Sequence, residues 1–568
     1  MIDPPPPSRF LRAYAAVVRW LLWLVLAVWA AFTLVWGALH GWIVPRIGDF
    51  RPQLEIQTSR ALGVPVRIGG ITARTEGLVP SFEITDLVLL DPQGREALRL
   101  HRVVASLSPR SLLNFGFDQL YIDQPALDIR RATDGRVFVA GLDMSRGEST
   151  DGRAADWFFG QTEFVIRNGI LQWTDELRGA APLALSGVDL VVRNSARRHL
   201  MRLDATPPSG LGQRFKVQGV FRQPLLSRNP GQWSEWDGQI HADFPRVDAA
   251  LLRHLGDLGV EVREGQGALR LWADINKGEV SGAVADVLMT EVSAVLGRQL
   301  EPLNLDTVSG RLGGRRLANG FDFSTRDLQF RTREGQVWPG GNVALTWTGA
   351  EGKMPAQGEV RADRLDLAAL AQLGSRLPLG STTHAALTAY APKGLVESVQ
   401  ARWQGSLANP EKYQAKGRAV GLEIAALPAR SAGPGTTTSP GSPGIRGAAM
   451  DFDFNQAGGK LHLALSSGAL ELPGFFEEPV LPFDSLSTDL QWQSSANQMV
   501  VTVNDLRFRN ADGEGQAQAT WRTSDPNRSR SRSRFPGVLD LQANLSRLDG
   551  TRVYRYLPQT IAKLAAEH

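Results

Sequence analysis

SFEITDLVLLD, residues Ser81 to Asp91, is the stretch from which the fold of this chain is read. Phe82 and Ile84 alternate with polar residues, the period of a strand that buries one face. Leu87 and Leu89 continue the alternation, but one residue late. This stretch alone leaves open which face carries them after the slip.

The rhythm spreads in both directions. EALRLHRVVASLSP gives Leu98 and Leu100, then Val103, Ala105 and Leu107. DQLYIDQPALDIRRATDGRVFV gives Leu120 and Ile122, then Leu127 and Ile129, then a turn at Asp134-Gly135. TEFVIRNGILQWTDE places Phe164 and Ile166 ahead of Asn168-Gly169, a dipeptide that predicts a hairpin. Further strands are expected in PLALSGVDLVV, GALRLWADI (with Leu269 and Leu271), GFDFSTRDLQFRT, NVALTWT (with Leu345 and Trp347), HAALTAYA, KLHLALSS, TDLQWQ and QMVVTVNDLRFR. Each carries one apolar and one polar row, as antiparallel strands do when one face is buried and the other wet. The fold expected is therefore mainly β with a few short helices. One of those helices is FRPQLEIQTSRALG, closing at Gly63.

The N-terminus is different. From Trp20 to Val44 there is no Lys, Arg, Asp or Glu, a run of 25 residues. As a helix it spans roughly 37 Å, enough to cross a hydrocarbon core of about 30 Å. Trp20, Trp23, Trp36 and Trp42 stand towards its ends, where indole rings favour the membrane interface. Arg9, Arg12 and Arg19 precede it, which keeps the short N-terminus cytoplasmic and exports the rest. A signal h-region is shorter, and a core helix is not apolar all round for this length. A retained transmembrane anchor is the reading.

Bulk properties narrow the function. The 568 residues are 43% hydrophobic and 21% charged, so most of the chain can fold. The net charge is +4 with both signs interleaved, which gives no nucleic-acid surface. With no cysteine there is no disulfide, thiol catalysis or thiolate-held metal. The eight histidines are scattered, and no HExxH, GxSxG or phosphate-loop pattern occurs. No catalytic residue, metal site or cofactor is expected.

One charged phrase returns three times. Ile240-x-Ala242-Asp243-Phe244-x-Arg246-Val247-Asp248 matches Leu541-x-Ala543-Asn544-Leu545-x-Arg547-Leu548-Asp549 without a gap, and Val360 to Asp366 is a shorter copy. Each begins as a strand and turns helical, with Asp248, Asp366 or Asp549 where an N-cap is wanted. His241 is replaced by Arg361 and Gln542 in the other copies, so the phrase is a structural module and not a reactive site.

These residues resemble the AsmA-like family of Gram-negative envelope proteins, in its YhdP-type branch. The likeness runs from the anchor through RALGVPVRIGGITA, PSFEITDLVLLDPQG, DQLYIDQPALDIRRATDGRVFVAGL and FVIRNGILQWTD. It continues through the strand–helix phrases to LELPGFFEEPVLPFDSLSTDLQW. The chain departs from the family at Thr75-Glu76, where an aromatic is expected, and corresponds to the family's N-terminal portion. The resemblance implies an elongated, twisted antiparallel rod with an apolar groove, anchored in the inner membrane and otherwise periplasmic. Roughly forty strands are expected in such a rod.

The function implied is conduction of phospholipid between inner and outer membranes, with no enzyme activity. The alternative is a non-catalytic assembly factor for the outer membrane or envelope, with envelope proteins as partners. Groove candidates are Phe82, Ile84, Leu98, Leu100, Leu120, Ile122, Phe164, Ile166, Leu269, Leu271, Leu345 and Trp347. Whether the apolar face is an open groove or a filled sandwich core stays open. The expected divisions are residues 1–19 (cytoplasmic), 20–44 (anchor), 45–145 (N-terminal β region) and 146–430 (first groove part). Residues 431–444, SAGPGTTTSPGSPG, form a flexible loop, and 445–568 continue the groove.

Overall fold

The computed structural model describes residues 9–38, 41–42, 44–74, 81–90, 94, 96–106, 117–144, 153–227, 229–251, 260–297, 299–338, 340–377, 379–406, 409–428, 441–495, 498–525 and 537–556. Residues 431–440 of the expected loop lie outside them, as do residues 526–536 and the side chains of Arg9 and Arg12.

Helix α1 (Arg9–Ala38) is the apolar segment, and Ala13–Ala38 is long and apolar enough to cross a membrane, with none of it buried. It carries Trp20, Trp23 and Trp36, while Trp42 lies beyond its end and rests edge-on against Phe50 at 5.9 Å. Arg19 lies within the helix and is exposed. A 3-10 segment (Val44–Phe50) leads into α2 (Arg51–Leu62). Gly63 ends α2 at φ 75, its N–H bonded to Ser59 O, because the left-handed conformation costs glycine least.

The remainder is dominated by strands, 27 among the described residues, all in one mixed sheet. The number is below the forty expected because single strands reach 16 and 17 residues, where short ones were anticipated. They belong to two compact units, Met1–Ala242 with Ile275–Glu279, and Asp243–Asp274 with Val280–His568.

The first unit holds β1 (Val66–Arg74), β2 (Ser81–Leu90), β3 (Glu96–Ser106), β4 (Gln119–Asp123), β5 (Ala126–Arg131), β6 (Val137–Val139), β7 (Leu142–Asp143), β8 (Glu163–Asp175), β9 (Leu183–Asn194), β10 (Arg198–Thr206), β11 (Phe215–Arg222) and the start of β12 (Asp237–Asp248). Helix α3 (Arg153–Gly160) precedes β8. Pairing is antiparallel except that β4 and β5 both run parallel to β8. The expected hairpin at Asn168-Gly169 is therefore wrong: β8 passes straight through it. Asn168 sits at φ 48, and the register against β9 shifts around Gly169. The left-handed preference that makes Asn-Gly a turn serves equally well as a bulge. β4 lines up with the first half of β8 and β5 with the second.

The slip in β2 has the same cause. Asp86 adopts φ 52 and drops out of the pairing with both β1 and β3. The extra residue keeps Leu87 and Leu89 on the face of Phe82 and Ile84. Neighbouring strands jump at the same level, so Val66 and Ile68 precede Ile71 and Ala73, and Leu98 and Leu100 precede Val103 and Ala105. In β9 the jump falls at Gly187, φ 54.

The second unit repeats the device. Asp327 (φ 50) in β16 (Gly320–Thr332) and Asp505 (φ 47) in β25 (Met499–Arg509) stand in Arg-Asp-Leu and Asn-Asp-Leu, as Asp86 stands in Thr-Asp-Leu. Its core gathers along that level, with Leu422, Ala448, Leu463, Leu465, Leu481, Phe483 and Leu486 buried together.

The recurring Asp residues are caps. Asp366 accepts from Ala369 N (2.9 Å) at the start of α4 (Leu367–Leu373), Asp248 from Ala250 N (2.8 Å) and Asp549 from Thr551 N (3.0 Å). HAALTAYA, expected as a strand, is instead most of α5 (Ser381–Tyr390). Its four alanines and leucine favour a helix, and it has none of the β-branched crowding of a strand beyond Thr388.

Strand β10 carries a buried imidazole. His199 Nδ1 donates to Asn194 Oδ1 at 2.8 Å, its ring stacks on Trp236 at 3.9 Å, and its Nε2 has no partner. Burial lowers its pKa, and the nearby Gln223 side chain works in the opposite direction. Two buried carboxylates go the other way. Burial raises Asp175, but Arg131 and Arg178 hold it below the usual carboxylate range. Asp512 is likewise raised by burial but held down by Tyr556, Arg555 and Arg552.

Two outcomes are expected. Asp86→Gly is tolerated at the bulge, whereas Asp86→Val, a β-branched residue forced to positive φ, costs about 1–2 kcal/mol in denaturant unfolding. Equal stability of the two variants would refute the bulge. As for His199, above pH ~6.5 it is neutral folded or unfolded, while below that the unfolded chain takes up a proton that the folded one refuses. Stability therefore falls as pH drops from 7.5 to 5, and His199→Gln flattens part of that fall in thermal melts. Asp175 and Asp512, lowered in the folded state, contribute to acid sensitivity only below pH ~4.

Candidate functional site

The bulges decide what faces the interior of the first unit. Ala73, Phe82, Ala105, Leu120, Phe164, Val192 and Met201 are successive cross-strand partners, a row that runs over seven strands without a polar residue. Ile71, Ile84, Val103, Ile122, Ile166, Leu190 and Leu203 form a second row beside it. Beyond the jump, Ile68 pairs with Leu87 and Leu87 with Leu100, and Leu89 pairs with Leu98. Cross-strand pairs of branched and aromatic residues hold such a surface together.

These rows do not fill the space between them and the helices. A cavity of about 830 Å³ remains, lined by the two rows except Ala73 and Val192, by Leu87, Leu89, Leu98 and Leu100, and by Leu127, Ile129 and Leu171 of β5 and β8. Ligand pockets commonly occupy about 300–1,000 Å³. One side is closed by Leu54, Gln57, Thr58 and Leu62 of α2, with Ile47 and Phe50 before it. Trp157, Phe158 and Phe159 of α3 close another, and Trp233, Trp236, Ile240 and Ile275 stand at a further end. The aromatic wall is tightly coupled, with Phe158 edge-on to Phe164 at 4.6 Å and Phe159 edge-on to Trp236 at 4.8 Å.

Charges are kept on the other face of the sheet. Glu83 and Arg102, which alternate with the lining residues of β2 and β3, pair at 2.7 Å. Helix α2 is tied down by its polar groups: Glu55 accepts from Ile68 N (2.7 Å), Ser59 from Val66 N (2.8 Å), and Arg51 donates to Gly69 O (3.1 Å). Those bonds satisfy backbone groups of β1, whose only strand partner among the described residues is β2. An edge strand left bare would invite pairing with another chain.

Eight of the twelve residues expected to face a groove line this one cavity: Phe82, Ile84, Leu98, Leu100, Leu120, Ile122, Phe164 and Ile166. Leu269, Leu271, Leu345 and Trp347 belong to the second unit and not to this cavity. There Leu345 pairs with Phe323 and Trp347 with Phe321 on an apolar face that stays open to solvent, Phe321 being 43% and Trp347 37% exposed. Gly358, opposite Trp347, has no room for a Cβ because the Trp403 ring lies across it. The aromatic side chains thus lie flat on the sheet.

Sequence reasoning found α2 as a helix but missed the wall formed by α3. Asp156-Trp157-Phe158-Phe159-Gly160 carries three adjacent aromatics, a signal that strand periodicity passes over. Among the described residues, no cluster of three or more His, Asp or Glu side chains is placed to hold a metal ion.

Among the described residues the lining is apolar apart from Gln53, Gln57 and Thr58. The chain is similar to the intermembrane phospholipid transporter YhdP of Escherichia coli (strain K12), 25% identical over 336 residues, which are 58% of this chain and 25% of that protein. The match thus covers a quarter of that relative's length. No solved structure matches. The model of the YhdP protein family matches residues 7–565, nearly the whole chain, and the chain belongs to that family.

Proposed function

We propose that this protein carries phospholipid between the inner and outer membranes of a Gram-negative envelope, and that the cavity of the first unit accepts the acyl chains. The observation that carries this reading is the cavity itself, unfilled by side chains and walled almost wholly by aliphatic and aromatic groups. Each methylene moved from water into such a space gains about 0.8 kcal/mol. A phosphate cannot follow, because an unpaired buried charge is far too costly. Acyl chains therefore lie inside while the head group stays wet. A wall that is apolar apart from Gln53, Gln57 and Thr58 on α2 lets chains slide with little change in energy, so transfer is passive and its direction is set elsewhere.

In this reading α1 anchors the chain in the inner membrane, with residues 1–19 cytoplasmic and the bulk periplasmic. Residues 45–145 open the lipid path, 146–430 and 445–568 extend it, and the interval 431–444 is a surface loop. Leu269, Leu271, Leu345 and Trp347 present the second unit's own apolar surface to acyl chains. The eight cavity residues do so in the first unit. No catalytic step is involved. Relatedness to an intermembrane phospholipid transporter supports the substrate, and the helix Ala13–Ala38 supports the anchor.

A photo-crosslinking amino acid at Ile84, Ile122 or Leu271 tests the proposal in cells. Phospholipid adducts are expected at all three, well above those at the exposed controls Arg67 and Arg99. Protein adducts alone, with the controls no different, would replace the carrier with an envelope assembly factor.

A further inference from the structure

The cavity's lining is buried or half-buried almost everywhere, and the exceptions fall in two places. Gln53 and Gln57 are exposed on α2, one helical turn apart, and Trp233 is exposed at the far end. With Thr58, those two glutamines are also the only amide or hydroxyl side chains in the lining. The polar spot and one of the two mouths therefore coincide.

Their position is not incidental to the fold. Helix α2 follows α1 through a 3-10 segment whose Ile47 and Phe50 also line the cavity. Arg51, Glu55 and Ser59 are bonded to β1, which fixes the rotation of α2 and turns the Gln53–Gln57 row to the cavity rim. An exposed amide at the rim of an apolar space suits a molecule whose own polarity changes at that depth.

Resting on the carrier reading above, we infer that this α2 lip is the port by which lipid leaves the membrane for the cavity, and that Gln53 and Gln57 hold the acyl-ester linkage of a diacyl glycerolipid. Their amide N–H groups donate to the ester carbonyl oxygens while both acyl chains lie inside and the head group stays outside. Uncharged donors recognise the linkage common to glycerolipids and leave head-group charge unread. Trp233, pinned by its Nε1 donating to Met144 O at 3.1 Å, is the other exposed residue of the lining.

The full chain is reconstituted in vesicles of a zwitterionic diacyl phospholipid, the same lipid doped with an anionic one, or its ether-linked analogue, which lacks the carbonyls. A photo-crosslinker at Phe82 reports loading with time, and melting curves confirm that each variant is folded. In ester-lipid vesicles, Gln53→Glu and Gln57→Glu, which replace a donor by an acceptor of the same shape, are each expected to slow loading about two- to tenfold. Wild-type loading is expected to be equal with and without anionic lipid, slower for the ether analogue, and insensitive to the Gln substitutions there. Leu226→Ala, at a residue 89% exposed and outside the lining, is expected to leave the initial rate unchanged. An unchanged rate in both Gln variants, or an equal loss in Leu226→Ala, overturns the port. Absence of any lipid adduct in the wild-type chain overturns the carrier reading itself, a distinct result.

Discussion

A strand that buries one face cannot gain a single residue without turning its next apolar side chains outward. Nearly everything in this protein follows from how that constraint is met. At Asp86, Asn168 and Gly187 in the first unit, and at Asp327 and Asp505 in the second, one residue enters the left-handed region and absorbs the step. The apolar row then resumes on its original face. Because β1, β2 and β3 step at the same level, the sheet bends along a shared line and cross-strand partners stay in register on both sides of it. Bulges also raise the local twist, which favours a sheet that curls over its apolar face.

The curled face needs only modest closure to become a chamber. Helix α2 supplies it on one side, held by hydrogen bonds to the β1 edge and by Leu62 packed with Val66 and Leu89. Helix α3 supplies it on another with three aromatic residues. The wall behind is stiffer, since the stacked His199–Trp236 pair and the Phe159 ring interlock. Ion pairs are relegated to the wet face or to strand ends, where Arg131 secures the buried Asp175. Such a distribution leaves the described lining without a charged side chain, its polar groups being Gln53, Gln57 and Thr58 of α2, so apolar matter inside is favoured chiefly by its exclusion from water.

Much of this was legible in the residues. Period-two alternation located most strands, and its one-residue slips, read as irregularities, were the bulges themselves. The eight cavity-lining residues named from β2, β3, β4 and β8 were found by that alternation. Three things escaped it. Asn168-Gly169 satisfies a turn and a bulge equally, so only the parallel neighbours β4 and β5 reveal which is present. HAALTAYA alternates like a strand, yet its alanines carry helix propensity that the pattern ignores. The cavity was undecidable in principle, because identical apolar rows build a filled sandwich or an open chamber. The difference lies in whether anything packs onto them, which depends on contacts distant in sequence such as those of Trp157 and Trp236.

The most direct measurement is the phospholipid retained by the purified full chain, determined by mass spectrometry, before and after the cavity is filled from its wall by Ala105→Trp. Ala105 has no exposed surface and lies on the Phe82–Leu120 row, so a large ring there takes up the space assigned to acyl chains. The expected result is bound phospholipid in the wild-type chain and a marked loss in the variant, with the fold preserved by circular dichroism. Equal lipid in the two chains would contradict the assignment of this cavity as the place where lipid is held.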